Sequence, residues 1–143
     1  MEKEFLTWGF FRFYPDKNCK RLKYKKDSFW ATVDIDQQIT DYYFNLLKNE
    51  YPNIKKSDRK PHITVCKGEK IRYFRNELKY LSKKIKNYET RCITFTYSNK
   101  IETNGTHFFI KVKSSEIINF RKYLGLSERL KNEFHITIAK IEE

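Results

Sequence analysis

A chain of 143 residues suffices for one domain with its own core. Hydrophobic residues at 39% and aromatics at 17% exclude a disordered segment despite the abundant charge. Thirty Lys and Arg against 18 Asp and Glu give a formal charge of +12, a surface suited to nucleotides, RNA or anionic membrane, although an AT-rich coding sequence yields the same Lys, Asn and Ile bias.

The segment Trp8 to Tyr14 is dense in aromatics and reads as a strand, with Trp8, Phe10, Arg12 and Tyr14 sharing a face. A lysine-rich connection, Asn18 to Asp27, leads to a second strand, Ser28 to Val33. Asp34 and Asp36 offer helix N-caps, and Ile39, Tyr43, Leu46 and Leu47 recur at helical spacing until Tyr51-Pro52-Asn53. The basic loop KKSDRKP precedes a strand from His62 to Lys67, closed by Gly68. Phe74, Leu78, Leu81 and Ile85 mark a second amphipathic helix. Strands follow at Cys92 to Tyr97 and Thr106 to Val112, around the hairpin signal Asn104-Gly105. Ser114 or Ser115 caps a third helix with Ile117, Ile118, Arg121 and Leu124, stopped by Gly125, and LSERLKN leads to the closing strand.

The cysteines, Cys19, Cys66 and Cys92, are odd in number and share no CxxC spacing, which suits reduced thiols better than a disulfide framework. Neither a signal peptide nor a membrane-spanning run is readable. The expectation is a cytoplasmic protein with no membrane contact and no obligate protein partner.

The chain contains a repeat. HITVCK, His62 to Lys67, matches HITIAK, His135 to Lys140, at a separation of 73 residues, about half the molecule. Each block follows a strand and a helix, which suggests two similar halves related by a pseudo-twofold axis. On a strand, alternate side chains share a face. Ile63, Val65, Ile136 and Ile138 therefore belong to the core, while His62, Thr64, His135 and Thr137 face a cleft. The same parity puts small Cys66 and Ala139 beside the threonines, and Lys67 and Lys140 on the opposite face.

One His-x-Thr on a strand is more often structural than catalytic. Packing explains a repeated Ile pattern, but not a repeated His and Thr on the polar face. Two imidazoles across a cleft suit acid–base chemistry, since an ordinary imidazole titrates near ~6.5. Threonine hydroxyls between them can donate to a phosphoryl oxygen. A metal is a weaker reading, because His62 and Cys66 lie about 13 Å apart along a strand at ~3.3 Å per residue. His107 stands outside both blocks and reads as a strand or surface residue. Trp8, Tyr14, Trp30, Tyr97 and Phe134 are candidates for stacking on a base, although in so aromatic a chain most rings belong to the core.

At His62-Ile63-Thr64 and His135-Ile136-Thr137 the sequence resembles the 2H (two-histidine) phosphoesterase superfamily. The resemblance implies a single α+β domain over residues 1–143, with a two-lobed pseudo-twofold fold. Antiparallel sheets would flank a central cleft, with helices on the outside. The lobes would cover roughly 20–90 and 91–143, with 1–19 as an added strand. It also implies phosphodiester cleavage without a metal or other cofactor, on 2′,3′-cyclic phosphates, 2′,5′-oligoadenylates, RNA 3′ ends or cyclic oligonucleotides. Small size, the PHITVCKGE context (Pro61 to Glu69) and the AT-rich character are similar to the phage anti-CBASS nucleases, which degrade cyclic di- and trinucleotide signals. That similarity implies action in the cytoplasm of an infected host.

Overall fold

The computed structural model describes residues 2–13, 29–69, 87–127 and 134–142. Strands β1 (Glu4–Phe13) and β2 (Trp30–Asp34) precede helix α1 (Gln37–Glu50), the two-residue β3 (Ile54–Lys55) and β4 (His62–Lys67). Then come β5 (Cys92–Thr103), β6 (His107–Lys113), helix α2 (Ser115–Tyr123) and β7 (Phe134–Ile141). Tyr14, the lysine-rich connection and the helix expected at Phe74 to Ile85 lie outside the described residues.

Every strand pairing is antiparallel. The sheet runs β3-β7-β4-β2-β1-β5-β6, and a further β7–β6 pairing closes it into a barrel. The antiparallel α+β character follows the sequence expectation, but the strands form one continuous closed sheet where separate sheets were expected. One face carries the apolar positions: Phe11 and Phe13 of β1, Val33 of β2, Ile63 and Val65 of β4, and Ile136 and Ile138 of β7. Helix α2 seals this face with Ile117, Phe120 and Leu124, all fully buried, and the Phe120 ring packs at 4.7 Å on Phe11.

Local signals set the element ends. Asp36 caps α1, its side chain accepting from the Gln38 N–H at 2.9 Å. Ser114 caps α2 by accepting from Ile117 N–H at 3.2 Å, and its hydroxyl donates to Thr94 O at 2.8 Å. Gly125 ends α2 at φ +80°, a left-handed conformation costly for other residues. In the β5–β6 turn Asn104 Oδ1 accepts from the N–H groups of Thr106 and His107, with Gly105 at φ +93°. Strand β5 runs six residues beyond the expected end. Its tail, SNKIET, is polar enough to read as loop, and pairing with β6 keeps it extended.

Two register shifts alter the parity of the repeated strands. Opposite the step Ala31/Thr32 of β2, strand β4 carries one extra residue; opposite Phe108/Phe109 of β6, so does β7. A bulge turns two successive side chains the same way. Val65 and Cys66 are accordingly both buried, as are Ile138 and Ala139. This corrects the simple alternation: Cys66 and Ala139 join the core, and Lys67 and Lys140 emerge on the His/Thr face.

Tyr43 of α1 is buried against Tyr97, ring centroids 6.4 Å apart. Burial raises the Tyr43 hydroxyl pKa above its ordinary value of 10.0, Tyr97 and Tyr42 adding to the effect, and burial raises Tyr97 as well. A folded pKa above the unfolded one contributes stability that is intact below the unfolded value and lost as pH rises through the folded one. The expected result is a stability plateau up to about pH 10 with a decline above it. Urea melts across the alkaline range should show that decline softened in Tyr43→Phe.

Candidate active site

Strands β4 and β7 are hydrogen-bonded neighbours, and Ile63 pairs with Ile136. These are the same position of the two hexapeptides. Carrying the register one residue either way sets His62 opposite Thr137, and Thr64 opposite His135. Directly opposed residues have Cβ atoms about 5 Å apart, and diagonal ones about 7–8 Å. The two histidines occupy the diagonal, a separation that a tetrahedral phosphoryl group can bridge. The Ile63–Ile136 pair faces the helices and is fully buried, which pins this register against slippage.

His62 and Thr137 line one groove with the Lys56 to Pro61 loop and Gln37, Thr40 and Asp41 of α1. His62 Nδ1 lies 2.7 Å from Lys60 O. A carbonyl only accepts, so Nδ1 carries the hydrogen and donates, making Nε2 the nitrogen that can exchange a proton with substrate. The His135 ring meets Phe109 of β6 edge-on at 5.4 Å. Across the ladders Asp34 faces His62 and Lys111 faces His135. Asp34 is paired with Arg12, and Lys111 with Glu102.

The five stacking candidates are placed differently. Trp30 is 7% exposed at the far end of β2, directly opposite Lys67. Trp8 is 61% exposed on β1, a strand separated from β4 by β2. Phe134 is buried in the core and Tyr97 packs between Phe5 and Tyr43, so neither ring is at the His/Thr face. Tyr14 lies outside the described residues. Simple reading of strands overlooked Phe109 and the Asp34–Arg12 pair, since their nearness to the motifs comes from pairing between distant segments. Among the described residues, no group of three or more His, Cys, Asp or Glu could hold a metal ion. Nor is any described helix long and apolar enough to cross a membrane.

A family model described as the Swiss Army Knife 2H phosphoesterase domain matches residues 31–143, a span that takes in both hexapeptides. No curated protein matches the chain. No solved structure matches it either.

Proposed function

Since the chain belongs to the 2H phosphoesterase family, we propose that it is a metal-independent phosphodiesterase whose catalytic groups are His62, Thr64, His135 and Thr137. Membership supports phosphodiesterase-type activity in general. The observation that carries the residue assignment is the pairing of Ile63 with Ile136, which supports a His/Thr quartet centred on one pseudo-twofold point. The matched bulges in β4 and β7 support the same relation. One domain spans residues 1–143 in this reading.

The reaction starts with attack of a ribose 2′-hydroxyl on the adjacent 3′–5′ phosphodiester. One imidazole takes the hydroxyl proton as the O2′–P bond forms. The other gives its proton to the 5′-oxygen as the P–O5′ bond breaks. The threonine hydroxyls donate to the non-bridging oxygens, where charge builds. The product is a 2′,3′-cyclic phosphate, which water opens with the two imidazoles exchanging roles. Similarity to the anti-CBASS nucleases makes cyclic di- and trinucleotides the substrates of this reading, in the host cytoplasm if the protein is phage-encoded. The basic groove beside His62 suits a polyanionic nucleotide, RNA included.

The test is a substrate panel in EDTA: cyclic di- and trinucleotides, 2′,5′-oligoadenylate, nucleoside 2′,3′-cyclic phosphates and short RNA. Cleavage of the cyclic oligonucleotides is expected. Cleavage confined to nucleoside cyclic phosphates or RNA ends would move the substrate elsewhere in the family, and intact recovery of every ligand would leave a nucleotide binder.

A further inference from the structure

Trp30 is nearly buried yet covered by two cations. The Lys67 ammonium lies 4.3 Å from its ring centroid and the Arg59 guanidinium 4.9 Å. Lys67 reaches this face because of the β4 bulge; with plain alternation it would point toward the helices. Arg59 both covers Trp30 and lines the His62 groove, so it borders the cluster and the groove alike. Among the described residues Lys67 enters no ion pair, and the partner they give its charge is the indole face.

A second observation points to a ligand at the same place. Trp30 Nε1 and Thr32 Oγ1 are buried and, among the described residues, have no hydrogen-bond partner. Both residues stand on the His/Thr face, Trp30 opposite Lys67 and Thr32 opposite Thr64. Unpartnered buried donors are costly unless something polar completes them. Two orphan donors beside two cations make a site for an anion. At the matching positions of β6 and β7 the pair is His107 opposite Lys140, and Phe109 stands where β2 has Thr32. The site therefore belongs to one half of the molecule only.

We propose that Lys67 and Arg59, held on the Trp30 ring, bind a second phosphate of the substrate, next to the one that is cleaved. Across the bulge Lys67 stands only two β2 positions along from Thr64, Trp30 against Thr32, roughly 7 Å at ~3.3 Å per residue, about one nucleotide step from the quartet. The ligand class is thus a nucleotide bearing at least two phosphates in succession. A nucleoside with a single cyclic phosphate fills only the catalytic half. The inference rests on the phosphodiesterase reading for the place of the cleaved group.

Trp30 supplies its own reporter. The chain has two tryptophans, so Trp8→Phe leaves Trp30 as the emitter. Fluorescence titration of this variant should show adenosine 3′,5′-bisphosphate binding at least tenfold tighter than adenosine 3′-monophosphate. In Lys67→Gln that ratio should fall toward one, while Lys100→Gln, which removes the same charge from β5, should keep it. A ratio near one in the parent, a ratio that survives Lys67→Gln, or an equal fall in Lys100→Gln would overturn the site. If no member of the EDTA panel were cleaved while the ratio and its Lys67 dependence held, the hydrolase reading would fall and the anion site would stand.

Discussion

Alanine at His62 or at His135 is expected to lower kcat by roughly a hundred- to ten-thousandfold, with little change in KM. The reason is geometric. Each imidazole handles one proton of a single displacement, and neither can cover both the attacking and the leaving oxygen. The double variant should be little slower than the worse single variant, because groups that act as a unit are strongly non-additive. His135 is exposed and His62 half-buried, so truncation leaves no core cavity. Far-ultraviolet circular dichroism and urea midpoints should match the parent. Steady-state kinetics on the best substrate of the panel reads the effect, and parent-like turnover in either variant would contradict the assignment.

The second large effect is on stability. Arg121 of α2 is fully buried and grips Glu69 with both terminal nitrogens, at 2.7 and 2.8 Å. The same guanidinium donates to Val65 O at 2.8 Å and to Ser127 O at 2.8 Å. Val65 is the extra residue of the β4 bulge, so one side chain ties α2, the strand after His62-Ile63-Thr64 and the start of the next connection together. Glu69 keeps 31% of its side chain in solvent and can rehydrate when Arg121 is removed, so the main loss is the partner of the buried Val65 carbonyl, about 1–3 kcal/mol, with the packing of the fully buried side chain added to it. Against the roughly 5–15 kcal/mol that holds a domain of this size, Arg121→Ala should lose a large share of the stability. Arg121→Lys should recover only part, since an ammonium cannot make the planar fork. Chemical denaturation of both variants checks the order, and a parent-like midpoint in Arg121→Ala would contradict it.

The parts of this architecture set by local chemistry were legible in the sequence. Asp36 and Ser114 as caps, Asn104-Gly105 as a turn, and the His62 to Lys67 strand with Ile63 and Val65 inward all rest on neighbours within a few residues. The His/Thr quartet was legible because repetition carried it, one copy being too common to single out. What alternation could not show is the pair of bulges. An inserted residue leaves no mark in composition, and it exchanged the roles of Cys66 and Lys67 and of Ala139 and Lys140. Arg121 was half legible. It falls at helical spacing with Ile117, Ile118 and Leu124, but its partner Glu69 lies 52 residues upstream, so its burial and ion pair could not be read. Trp30 was legible as one of five stacking candidates, but Arg59 and Lys67 reach its face only through the loop before β4 and the β4 bulge.

The central claim is that both hexapeptides converge on one phosphoryl group, and imidazole NMR with inorganic vanadate, a phosphate mimic, tests it most directly. The chain has three histidines, and His107, set in the ladder opposite Lys140, serves as the internal reference. Titration of ¹⁵N-histidine-labelled protein should move the ring signals of His62 and His135 together along one binding curve while His107 stays nearly still. Movement of one of the two without the other, or of neither, would contradict the account.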